Sequence, residues 1–198
     1  MKKAIISTLI MAAVVTTVSH ANISHKVVKG DTMWKISVKY QQGLKEIVDA
    51  NPKIENPNLI YPGQLITVPE ADTSVSNFET EVVRLVNQIR SQNGLKPLTQ
   101  DWQLSRVARV KSQDMADKNY FSHTSPTYGS PFDMMKSFGI SYKTAAENIA
   151  MGQKTPQAVV NAWMNSSGHR KNILNPSFTT IGVGYVAKGN IWTQMFIG

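Results

Sequence analysis

The sequence predicts an α+β chain in two parts, and three patterns predict it. Residues 26–69 run strand, helix, helix and strand within fewer than fifty positions. Residues 76–118 repeat apolar side chains at helical spacing. Two apolar runs, Thr180 to Val186 and Ile191 to Ile197, then flank Lys188-Gly189-Asn190, as in a β-hairpin. Helices and strands grouped this way, not alternating regularly, belong to the α+β class.

In the first part, Lys26 to Val28 is a short apolar strand that runs into the turn residues Gly30 and Asp31. Thr32 stands where a helix N-cap is wanted, ahead of apolar Trp34, Ile36 and Val38. A second helix carries Leu44, Ile47 and Val48, and Asn51-Pro52 stops it, because the residue before a proline is pushed out of the helical region. Pro62-Gly63 marks a turn, and Leu65 to Val68 is the returning strand.

Glu70 to Ser76 is polar and without periodicity, so residues 70–76 are expected to form a linker. Ser76 and Glu79 have capping-box spacing, ahead of Phe78, Val82, Leu85 and Ile89 on one helical face and Gly94 beyond its end. Leu104, Val107, Ala108 and Met115 mark a second amphipathic helix. Ser130-Pro131 and Thr155-Pro156 each pair an N-cap with proline at the first helical position. They start a helix ending at Gly139 and another carrying Val159, Ala162 and Trp163. About 120 residues of this kind suffice for an independent core.

The ends and the composition bound the class. Met1-Lys2-Lys3, an apolar run from Ala4 to Val18 and Ser19-His20-Ala21 read as a secretory signal peptide over residues 1–21, cut after Ala21. No later segment reaches membrane-spanning length, so stable membrane insertion is not expected. The chain has no cysteine, which excludes disulfides, thiolate metal sites and a thiol nucleophile. Its charge of +8 falls to +6 when Lys2 and Lys3 leave with the signal peptide. The basic residues are scattered, without the runs or aromatic interleaving of a nucleic-acid binder, and suit anionic wall polymers.

Gly30-Asp31-Thr32, Asn51-Pro52 and Tyr61-Pro62-Gly63-Gln64, at these places, resemble a LysM module over residues 26–69. The resemblance implies binding of peptidoglycan or a related N-acetylglucosamine polymer in a shallow groove. Carried over, the groove uses Gly30, Asp31 and Thr32 on one side and Asn58, Leu59 and Ile60 on the other. Such grooves bind single short glycans weakly and gain from multivalency.

Phe121-Ser-His-Thr-Ser-Pro126, Ala146-Glu-Asn-Ile149, Ala162-Trp163, Ser167-Gly-His-Arg-Lys-Asn-Ile-Leu174 and Ile181-Gly-Val-Gly-Tyr185 stand in the order seen in CAP (SCP) domains. This second resemblance covers residues 77–198 and is strongest to the cysteine-free branch of Gram-positive, often spore-forming, bacteria. It implies an α-β-α sandwich whose cavity is lined by two histidines and two acids. His123, Glu147 and His169 match three of them, and the position of the second acid, three residues beyond Trp163, is Ser166. No cofactor is required by these motifs. The two imidazoles could hold zinc with Glu147 as third ligand, or Glu147 and His169 could act as an acid/base pair. Alternatively, the same groups simply hydrogen-bond one another and tie loops to the sheet.

Among the remaining residues, His25 belongs to the mature N-terminus and makes a poor site candidate. Met115, Met134 and Met135 read as core, Trp102, Trp163 and Trp192 as packing, and the Asp114–Asp117 pair as a solvated face. The resulting expectation is a secreted wall-associated protein that binds peptidoglycan through LysM. The alternatives are a wall-directed hydrolase using His123, Glu147 and His169, and an assembly protein of a wall or spore layer.

Overall fold

The computed structural model describes residues 22–70 and 73–198; the expected signal peptide lies outside the described residues. The first part pairs β1 (Ile23–Lys26) with β2 (Leu65–Val68) antiparallel, and packs α1 (Met33–Tyr40) and α2 (Leu44–Asp49) on them. Its core is Val27, Met33, Ile36, Ile47, Ile66 and Val68. Thr32 caps α1 as expected, its hydroxyl accepting from Lys35 N at 3.1 Å. Asn51 closes α2 onto β2: its amide donates to the Ile47 and Thr67 carbonyls and its oxygen accepts from Thr67 N.

One expected boundary in this part needs correction, and three side chains take places that their spacing alone does not announce. The first strand lies at Ile23–Lys26, earlier than Lys26 to Val28, although Val27 still exchanges backbone bonds with Gly63 and Gln64. Trp34 and Val38 share a face of α1, but they are exposed, and the core takes Met33, Ile36 and Ser37 instead. A period of 3.6 puts residues 34 and 38 opposite residue 36. His25, set aside as a site candidate, is buried, with Nε2 donating to Asp31 at 2.9 Å and Nδ1 accepting from the Tyr40 hydroxyl.

The second part begins with α3 (Thr73–Gln92), so Ser76 lies inside the helix instead of capping it. Glu79 is turned into the protein, where Oε2 accepts from Arg109 and Oε1 from Tyr185 N. Then follow β3 (Thr99–Gln100), α4 (Trp102–Lys118), α5 (Pro131–Ser137), β4 (Ala145–Met151), α6 (Pro156–Asn165), α7 (Ser167–Ile173), β5 (Thr180–Val186) and β6 (Ile191–Ile197). The predicted caps at Ser130 and Thr155 form, each followed by its proline. The predicted hairpin forms in full register, Thr180 opposite Ile197 through Val186 opposite Ile191.

The sheet order is β3-β5-β6-β4, parallel only between β3 and β5. One face carries α3 and α6 over Val82, Val86, Val159, Trp163, Val183 and Trp192. The other carries α4 and α5 over Leu104, Val107, Met134, Met135 and Met195. This is the predicted α-β-α sandwich. Each fully buried apolar side chain of this size contributes about 1.5–3 kcal/mol. β5 meets α4 so closely that a Cβ on Gly182 would lie 2.3 Å from the Leu104 carbonyl carbon, and one on Gly184 2.1 Å from Arg109 N. The outer edge of β4 is covered by side chains: Asn172 donates to the Glu147 carbonyl and Trp163 Nε1 to that of Ile149.

Candidate functional site

Three elements deliver the expected cleft residues. His123 comes from the loop after α4, Glu147 from β4 and His169 from α7. His123 Nδ1 donates to Glu147 Oε1 at 2.8 Å. The Glu147 side chain is 1% exposed and that of His123 is 53% exposed, so a buried carboxylate orients an accessible imidazole. Glu147 Oε2 is buried and has no hydrogen-bond partner among the described residues. Burial raises the Glu147 pKa against the opposing pull of His123 and Lys111. The bond to Glu147 raises the His123 pKa despite partial burial.

Glu147 bonds His123 through Oε1, and among the described residues no hydrogen bond joins it to His169. His169 is half-buried, its pKa lowered by burial and then by the charge of His123. Its backbone is tied to the sheet: Asn148 Nδ2 donates to the His169 carbonyl at 3.2 Å and to Gln194 Oε1 at 3.0 Å. Asn172 in turn donates to Asn148 Oδ1 at 2.8 Å. Among the described residues, no three His, Cys, Asp or Glu side chains are arranged to hold a metal ion. Glu147 Oε1 is taken by His123, and Ser166 offers a hydroxyl where an acid was wanted. The residues present therefore do not form the expected zinc set.

Two residues behind the site escaped the sequence reading. Lys111 is fully buried, its ammonium donating to the His123 carbonyl at 2.8 Å and to the Tyr120 hydroxyl at 3.2 Å. Burial lowers its pKa, while the negative charge of Glu147 and Asp114 opposes that shift. A signal existed, since Lys111 falls on the stripe of Val107, Ala108 and Met115. Asp114 was expected on a solvated face and is instead buried; only Asp117 is exposed. Asp114 accepts from Tyr120, Ser125 and Thr127, fastening the loop that carries His123 onto α4. Burial works against its ionised form, but those bonds together outweigh it and hold its pKa at about 2.

In the first part, the two expected groove loops are both at the surface. Asp31 is committed to the turn itself, accepting from Val28 N and His25, so its carboxylate shapes the loop. Gly30 has φ +92°, a conformation L side chains rarely adopt, and its carbonyl accepts from Lys35 Nζ at 2.7 Å. On the far side Asn58 N and Leu59 N bond to Asn56, which turns Leu59 outward to 52% exposure. Ile60 is half-buried and packs on the core. Val28 and Tyr61 add exposed apolar surface at 59% and 60%.

Residues 25–69 match the LysM domain, and residues 83–196 match the cysteine-rich secretory protein family, CAP. Over 132 residues, 67% of the chain, it is 71% identical to the uncharacterized protein YkwD of Bacillus subtilis, of which it covers 51%. An extracellular protein containing an SCP domain from Bacillus anthracis has a crystal structure that matches 69% of this chain and 47% of its own, at 38% identity and TM-score 0.61. The chain thus spans about half the length of each. The secreted LysM effector ECP6 of Passalora fulva is 42% identical over 59 residues, 30% of this chain and 25% of that protein. The LysM domain points to carbohydrate binding. With a family match over more than half its length, the chain belongs to the cysteine-rich secretory protein (CAP) family and carries a LysM domain ahead of its CAP domain.

Proposed function

We propose that the chain is a secreted, cell-wall-associated protein that binds peptidoglycan, an N-acetylglucosamine glycan, through its LysM module and holds its CAP domain at that surface. One observation carries the reading: the LysM match coincides with two surface loops, 28–32 and 58–61, that present Val28, Leu59 and Tyr61 beside turn backbone. Small apolar faces suit sugar rings and backbone groups suit acetamides. The formal charge of +6 without Lys2 and Lys3 favours an anionic wall. Among the described residues, no helix is long and apolar enough to cross a membrane. Co-sedimentation with purified sacculi tests the proposal. The full chain pellets, and a Leu59→Ala variant, changed at an exposed position, pellets much less. Equal pelleting would remove the groove from the proposal.

A second reading, a wall hydrolase, is favoured by the His123–Glu147 geometry alone. Glu147 fixes His123 Nδ1 as the donor, which leaves Nε2 to take a proton from water or a substrate hydroxyl. Release of soluble muropeptides by wild type but not His123→Ala would establish it, and release by neither would dismiss it.

A further inference from the structure

A cavity of about 450 Å³ lies between the two domains, outside both sites described above. α1 and α2 form one wall, and α4 and α5 the other. Its lining includes Trp34, Trp102 and Phe138, together with Gln42, Gln103 and Arg106. A volume of this order falls within the roughly 300–1,000 Å³ typical of small-molecule sites.

The chemistry of the lining is specific. Arg106 reaches across from α4 and donates to both Glu46 carboxylate oxygens, at 3.0 and 2.8 Å. Lys45, also at the rim, pairs with Asp49 at 2.5 Å. Both cations are therefore neutralised, and the cavity offers no free charge to an ionic ligand. The amides of Gln42 and Gln103 have no hydrogen-bond partner among the described residues. Each presents a donor and an acceptor on one planar group, the complement of an acetamide. The indoles supply flat apolar faces, and Trp34 is 52% exposed. Thr32, in the first groove loop, caps the helix that bears Trp34.

The geometry points to a second carbohydrate subsite at this joint, one that takes an uncharged N-acetylhexosamine unit of a glycan and is built from both domains. The inference rests on the N-acetylglucosamine reading of the LysM module and extends it to residues of the CAP domain. A glycan unit seated here would touch residues of both domains, so its binding would also hold them together.

Calorimetric titration of the full chain with chitotetraose tests this. Wild type is expected to show two classes of site. Trp102→Ala is expected to weaken one class by about tenfold or more, the measure of losing a buried aromatic face. Gln103→Ala, which changes only a side chain at the cavity wall, is expected to weaken the same class without threatening the fold. Leu59→Ala is expected to weaken the other class. Loss in Leu59→Ala with wild-type binding in Trp102→Ala and Gln103→Ala would overturn the subsite and leave the groove standing. Loss in Trp102→Ala and Gln103→Ala with wild-type binding in Leu59→Ala would support the subsite and remove the groove. No binding by wild type would overturn both.

Discussion

His123 and Glu147, 24 residues apart in the chain, share a 2.8 Å hydrogen bond that joins an accessible imidazole to a buried carboxylate. The bond makes each group report on the other. The His123 pKa is raised above 6.5, chiefly by that bond. Its stabilising contribution is thus complete below 6.5, the unfolded value, and is lost as pH rises through the higher folded value. By NMR titration the His123 ring should titrate above 6.5 in wild type and lower in Glu147→Gln. Identical titration curves would mean that the bond does not form in solution. If the hydrolase reading holds, muropeptide release should rise with pH through the same transition, because only neutral Nε2 accepts a proton.

Lys111 lies behind this pair in full burial. In Lys111→Met the aliphatic stem is kept and the charge removed, which takes away one of the pulls that oppose the rise of the Glu147 pKa. Carbon-detected titration of Glu147 should therefore show a still higher value in the variant. An unchanged value would show that Lys111 serves the His123 loop through its hydrogen bonds alone.

The two glycines of Ile181-Gly-Val-Gly-Tyr185 lie where α4 crosses β5, and any Cβ there meets helix backbone. Gly182→Ala and Gly184→Ala should each cost about 1–3 kcal/mol or more, as overpacking does. Urea denaturation checks this. Gly152→Ala is a useful contrast, because nothing lies within 4 Å of its added methyl and only its φ of +97° opposes the change.

Glu79 is 2% exposed, and burial raises its pKa from 4.5 to about 7 against the pull of Arg109. A raised carboxylate contributes stability below its unfolded value that is lost as pH rises through the folded one. Arg109→Ala removes the partner and should cost about 3 kcal/mol above neutrality, the penalty of stranding a buried charge. The loss should shrink towards about pH 5, where Glu79 is protonated in the folded state. Urea denaturation at both pH values decides it; a pH-independent loss would assign the effect to packing of the arginine stem.

The capped helices and the hairpin were legible because their signals are local. Thr32, Ser130-Pro131 and Thr155-Pro156 each act on the adjacent turn, and Lys188-Gly189-Asn190 fixes the register of the strands beside it. β4 and α7 were not assigned from periodicity: Ala145 to Met151 is buried on both faces and does not alternate, and Ser167 to Ile173 has little apolar stripe. Those two elements carry Glu147 and His169, so only the family motifs pointed to the site. Lys111 and Asp114 went unrecognised for another reason. Their burial is made tolerable by Tyr120, Ser125 and Thr127, partners in the following loop that helical spacing does not reveal.

The covered edge of β4 has a consequence for how this molecule behaves among its own copies. An open strand is a template for a neighbour's backbone, and crowded polymers of identical chains are where that danger is greatest. Here Asn172 and Trp163 occupy two outward carbonyls of β4, and the opposite edge, β3, is only two residues long. Among the described residues, neither outer strand of this sheet offers a long free edge for another chain to pair with. High local density on a glycan surface would then not join copies through the outer strands of this four-stranded sheet.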